Sequence, residues 1–149
     1  MIIPKNKIKV CNKAIKDFQG KLEKFRDEGV DMLMEQSIRA AVSTFLQNVI
    51  RHTPVGDYGD TGKQGGTLRK GWNARNIKKT GDGYEVEIYN DVDYAVYREH
   101  GHLTANTDPA GRRWIRGSFM LRNTEIEMTF IMPKILEQQF NVFKKKYSR

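Results

Sequence analysis

The chain has 149 residues, 38% of them apolar and 30% charged, with a net charge of +8; this fits one domain large enough to bury its own core. No run approaches the ~20 apolar residues needed to span a bilayer, and Met-Ile-Ile-Pro-Lys at the start lacks the apolar stretch of a secretion signal, so cytoplasmic folding is expected. Cys11 is the only cysteine, which excludes an intrachain disulfide and a cysteine-cluster zinc site and leaves it as a small packing residue.

Residues 1–12 are short, polar and lysine-rich and read as a flexible N-terminal arm. A helical pattern runs from about Lys13 to His52. Its clearer part carries Val30, Leu33, Met34, Ile38, Ala41, Val42, Phe45, Leu46, Val49 and Ile50 at three- and four-residue steps, which places them on one face. Gly20 and Gly29 interrupt the longer window, so a kink near Gly29 is expected. Pro54 disfavours helix in the residue before it and ends the pattern at Thr53.

Residues 54–67 hold five glycines, Gly56, Gly59, Gly62, Gly65 and Gly66, and read as a long loop of the kind that carries function. A hairpin follows: one arm from Arg69 to Lys78 with Trp72 and Ala74 inward, a turn at Thr80-Gly81-Asp82-Gly83, then Tyr84 to Tyr89. Tyr84, Val86 and Ile88 share one side of the second arm by simple alternation. Asn90-Asp91 makes another turn, Tyr94 to Tyr97 a third short strand, and 101–111 a second long loop. Trp114-Ile115 reads as a last short strand. From Phe119 the period is helical again, with Met128, Ile131, Met132, Ile135, Leu136, Phe140 and Phe143 inward. Pro133 suggests two helices meeting near Ile131–Met132. The closing Lys144-Lys145-Lys146 complements a helix C-terminus.

Helices, three or four strands and a further helix make an α+β domain over 1–149, its small antiparallel sheet packed on the helices by one face. The expected core includes Phe45, Leu46, Trp72, Val86, Ile88 and Ile135.

The charge is uneven. Residues 1–53 carry 10 basic and 6 acidic side chains, 54–118 carry 10 and 9, and 119–149 carry 6 and 3. The sheet-like centre is nearly balanced, which disfavours a nucleic-acid-reading element there, although phosphate attraction needs no sequence reading. Glu99-His100-Gly101-His102 is the only local cluster with metal-ligand character, with His52, Asp91 or Asp93 as a third donor. Gly101 instead suggests a turn that parts the two histidines, with Glu99 accepting a backbone amide or pairing with an arginine at the loop base, and His102 hydrogen-bonding within the loop. The glycine-rich loop lacks phosphate-loop spacing, because a helix precedes it and strand-like residues follow. No catalytic set stands out, and no cofactor is expected. Trp72, Tyr84, Tyr89, Tyr94, Tyr97 and Trp114 could stack on bases; with Arg69, Arg98, Arg113 and Arg116 they are equally the residue types of interface hot spots.

Three motifs in order resemble a known family. Thr53-Pro54-Val55, Thr61-Gly62 and Leu68-Arg69-x-Gly71-Trp72 are similar to the opening of tailed-phage neck and tail-completion proteins, the minor tail subunits that join head to tail. Tyr94-Ala95-Val96-Tyr97-x-Glu99-x-Gly101-His102 resembles the central signature of that family. Trp114-Ile115-x-Gly117 before Phe119-Met120 resembles its close. The stretches between Val55 and Thr61 and between Gly62 and Leu68 are longer than the family pattern, and Gly71 stands where Ser is common.

The resemblance implies a non-enzymatic virion subunit, assembled in the bacterial cytoplasm as a ring, hexameric in the family, at the head-proximal end of a tail. Its implied partners are copies of itself, tail-tube, terminator and head-connector proteins, and DNA sliding through the lumen without sequence reading, with no membrane. Contacts are assigned to Asp57, Tyr58, Asp60, Thr61, Gly62, Leu68 and Arg69, and to Tyr94, Tyr97, Arg98, Glu99, Gly101, His102 and Trp114. The competing expectation is a basic nucleic-acid-binding module or metal-dependent nuclease.

Overall fold

A computed structural model describes residues 7–8, 15–16, 19, 29–105, 109 and 111–147. The expected arm at 1–12 lies outside these residues apart from Lys7 and Ile8, as do Cys11, Gly20 and Asp108. In chain order the described elements are β1 (Lys7–Ile8), α1 (Gly29–His52), a 3-10 turn (Gly59–Thr61), α2 (Thr67–Lys70), β2 (Trp72–Ala74), β3 (Lys78–Thr80), β4 (Gly83–Asn90), α3 (Ala95–His100), β5 (Gly101–Leu103), β6 (Trp114–Arg116) and α4 (Met120–Tyr147). Ile15, Lys16 and Gln19 are also helical. The fold is α+β.

β4 is the centre of the main sheet. It pairs antiparallel with β1 on one side and with β2 and β3 on the other. Its side chains alternate as the sequence predicts, with Tyr84, Val86, Ile88 and Asn90 buried. β2 and β3 are two halves of one arm. Ala74 faces Ile88 and Lys78 faces Glu85, so three residues, Arg75–Ile77, oppose only Val86 and Glu87. One extra residue is a β-bulge, which bends an edge strand away from further pairing. The Arg75 amide still donates to the Glu87 carbonyl at 2.9 Å, and its guanidinium lies 5.0 Å from the Tyr89 ring centre.

α1 buries Leu33, Met34, Ser37, Ile38, Ala41, Phe45 and Val49, with Val42 and Leu46 half-buried beside them. These residues meet Trp72, Tyr84, Val86 and Ile88 of the sheet and Ile15, Leu68, Ala95, Met120 and Leu121 in one cluster. Ala41 joins Met132, Ile135 and Leu136 of α4 in a second. Arg51 donates to Glu127 at 2.8 Å, while Ala41 meets residues 132–136, so α1 and α4 run antiparallel. The end of α1 therefore lies beside the start of α4.

Three local expectations change. Tyr94–Tyr97 is not a strand: Ala95–His100 is helical, burying Ala95 and Glu99 four residues apart while Tyr94 and Tyr97 stay exposed. A short apolar run fits either period, and the turn bond from the Ala95 amide to the Val92 carbonyl starts a helix here. Residues 67–70 form a helical turn rather than strand, so the arm starts at Trp72. Finally, α4 is one helix of 28 residues with Pro133 inside it, held through that position by the buried Met132, Ile135 and Leu136. Gly29 is where α1 begins; residues 20–28 are outside the described set.

Candidate functional site

Two projections leave the same end of the helix pair: the loop 54–66 after α1, and the β5–β6 hairpin before α4. Each is fixed at its base by buried polar bonds.

Thr53 is the anchor of the loop. It is fully buried; its hydroxyl donates to the Val49 carbonyl at 2.6 Å and accepts from Trp72 Nε1 at 2.8 Å. Its carbonyl accepts from Arg69 Nε at 2.7 Å. The Thr-Pro-Val, Leu-Arg and Trp motifs thus meet in space as one latch. Asn90 is a second: its amide donates to the Leu68 carbonyl at 2.8 Å and its oxygen accepts from the Val92 amide at 3.0 Å. Gly71 sits so close that a side chain there would strike the Asn90 carboxamide. Buried polar groups satisfied in this way hold one geometry, because breaking any bond leaves a partner unpaired.

Above this base the loop closes on itself. A side chain at Gly65 would collide with the Gly56 carbonyl, so the two ends of the excursion touch, as in an Ω-loop. Asp57 accepts from the Gly59 amide at 3.0 Å, and the Tyr58 carbonyl accepts from the Thr61 hydroxyl at 2.8 Å. Gly62 has φ +70°, a left-handed turn that favours glycine. Asp57, Tyr58, Asp60 and Thr61 are all exposed, as is Val55.

The hairpin is the second projection. Gly101–Leu103 pairs with Trp114–Arg116, and the Thr104 amide adds a bond to the Arg113 carbonyl at 2.9 Å. The expected loop at 101–111 thus begins in a strand. Glu99 fixes its base: it is only 6% exposed, and its two carboxylate oxygens accept the Leu121 and Arg122 amides at 3.0 and 3.2 Å. A carboxylate there satisfies the otherwise unpaired first amides of α4 and its positive end. The Ser118 amide donates to the Arg98 carbonyl at 2.6 Å, and a side chain at Gly117 would strike the Glu99 carbonyl. Phe119, at φ +50°, is the single non-glycine residue with positive φ among those described. Burial, and then the Glu99 charge, raise the Glu125 carboxyl above its ordinary range.

At the hairpin tip Leu103 and Trp114 face each other across the strands, and Trp114 is 61% exposed. Tyr94 and Tyr97 are exposed on and beside α3, and the Tyr97 ring meets the His102 ring edge to face at 6.0 Å. Among the described residues, His102 Nδ1 is buried without a hydrogen-bond partner. Arg98, Gly101 and His102 are half-buried.

Two assigned contact residues belong to the interior instead. Leu68 is 4% exposed and packs in the core, and Glu99 is spent on capping α4. Arg69 is exposed, but its Nε is committed to Thr53. Residue order did not single out Leu103, and it marked Asn90 as a turn residue and Gly117 and Phe119 as parts of the closing motif without giving them these roles; the Thr-Pro and Gly-Trp dipeptides were the available signal for the latch. His52 Nε2 lies 3.0 Å from Glu127 Oε1 without the alignment of a hydrogen bond, which ties it to α4. Among the described residues no group of three or more His, Cys, Asp or Glu side chains comes together to hold a metal. Among the described residues no helix is long and apolar enough to cross a membrane.

Residues 16–101 match the family HK97-gp10-like, described as "Bacteriophage HK97-gp10, putative tail-component". The match spans α1, the loop, its latch, strands β2 to β4 and α3, and stops as β5 begins; β1 lies outside it. No curated protein and no solved structure matches the chain.

Proposed function

The chain belongs to the HK97-gp10-like family of bacteriophage tail components, and from that premise we propose that it is a structural virion subunit that closes into a ring with copies of itself at the head-proximal end of a tail. The observation that carries the proposal is the pair of exposed, aromatic-bearing projections whose bases are locked by Thr53, Asn90 and Glu99. Rigidly presented apolar residues with tyrosine, tryptophan and arginine are the composition of a binding surface, pre-organised so that little order is lost on association. A contact between two different patches generates a ring when its rotation closes.

In this role the neighbours along the axis are tail-tube, terminator and head-connector proteins, and DNA passes through the lumen unread. The chain needs no chemistry for this work. Negative-stain electron microscopy and light scattering of the purified protein at micromolar concentrations test the proposal. Closed annular particles of one mass support it. A monomer up to about 100 μM, where weak contacts of −5 to −6 kcal/mol are populated, contradicts it. Salt-sensitive binding of duplex DNA by that monomer, with a steep slope, would favour the nucleic-acid module instead.

A further inference from the structure

The two projections differ in charge. The loop 54–66 carries Asp57 and Asp60 against Lys63, a net of −1, while residues 101–116 carry three arginines against one aspartate, a net of +2. Each also offers an apolar pair: Val55 and Tyr58 on the loop, Leu103 and Trp114 on the hairpin, all four at least 45% exposed. Asp60, Arg112 and Arg116 are exposed and form no ion pair among the described residues. The bonds of the Asp57 side chain and the Tyr58 carbonyl stay inside the loop, to the Gly59 amide and the Thr61 hydroxyl. The two leave from different helices, the loop from α1 and the hairpin into α4.

We propose that the loop 54–66 of one copy docks on the β5–β6 hairpin of the next, with Asp57 and Asp60 facing Arg112 and Arg116 while Tyr58 and Val55 pack on Trp114 and Leu103. This rests on the ring reading above and specifies its contact. Unlike patches meeting head to tail form the heterologous contact that propagates around a ring. The charges select the partner and register, and the apolar pairs supply the burial, as at other interfaces. The partner is a second copy because this chain itself carries both complementary halves.

Charge reversal in trans tests the proposal. Asp60→Arg and Arg116→Asp, each alone, place like charges together at every contact. Each raises the concentration needed for half-assembly by about tenfold, consistent with the cost of like-charge juxtaposition. Below the concentration at which the wild type assembles, neither changes the melting temperature, because both side chains are exposed and form no ion pair among the described residues. An equimolar mixture of the two variants restores assembly near the wild-type concentration, since an alternating ring then contains only opposite-charge contacts. Wild-type assembly with both variants assembling normally, or with no rescue in the mixture, overturns the docking but leaves the ring intact. A monomeric wild type overturns the ring and the docking with it. Loss of DNA binding on Arg116→Asp with assembly unchanged assigns the hairpin to phosphate contact and also overturns the docking.

Discussion

The loop-and-hairpin end and the helix–sheet body are built by different forces, and each responds to a different experiment. The body is held by apolar burial between α1, α4 and β4, which is non-directional and spread over many residues. The end is held by a few directed bonds to Thr53, Asn90 and Glu99, and leaves its large apolar groups outside. Changes in the body should therefore cost folding, and changes at the tips should cost association alone, with the latches between.

The largest effect is expected in the body. Ile38→Ala, at a side chain 1% exposed, should lower stability by about 2–5 kcal/mol; denaturant titration reads this directly, and a loss below about 1 kcal/mol would mean that α1 packs more loosely than described. Next comes Thr53→Val. It keeps the shape but removes the acceptor for Trp72 Nε1, leaving a buried donor unpaired at a cost of about 1–3 kcal/mol. Altered tryptophan fluorescence in the folded protein would accompany it, and an unchanged spectrum would argue against the latch.

Glu99→Ala strips the cap from α4 and should cost about 1–2 kcal/mol. Hydrogen exchange at the Leu121 and Arg122 amides should rise more than at mid-helix; uniform exchange along α4 would count against a local role. The smallest effect belongs to Glu125. Its folded-state pKa is raised, so the ionised carboxylate destabilises the fold above that value, and the cost vanishes below the ordinary carboxylate pKa. Glu125→Gln should thus stabilise the protein at neutral pH, by no more than about 0.5 kcal/mol for a largely exposed side chain. The gain should fade as the pH drops through the carboxylate range, and a gain that persists at pH 3 would contradict this cause.

The same contrast explains what could be read before any coordinates. Burial leaves a period: Tyr84, Val86 and Ile88 alternate, and Met132, Ile135 and Leu136 repeat helically, so strand β4 and the inner face of α4 were plain in the residue order. Pro133 misled because packing on both sides of it holds α4 continuous. α3 was hidden because Ala95 and Glu99 are its only buried pair, and a buried glutamate does not look apolar. The contact surface was legible as two glycine-punctuated segments. Which residues face out was not: Leu68 and Glu99 turn inward through bonds to Asn90 and α4 that span more than twenty residues.

Excising the loop tests the central claim most directly. Gly56 and Gly65 already touch, so deleting 57–64 and joining the ends should leave the body folded. Sedimentation velocity of this chain beside the full-length protein should show an assembled full-length species and a monomeric shortened one, while circular dichroism shows the shortened chain folded with a cooperative thermal transition. A shortened chain that sediments as the same assembly would contradict the assignment of this loop to the contact between subunits.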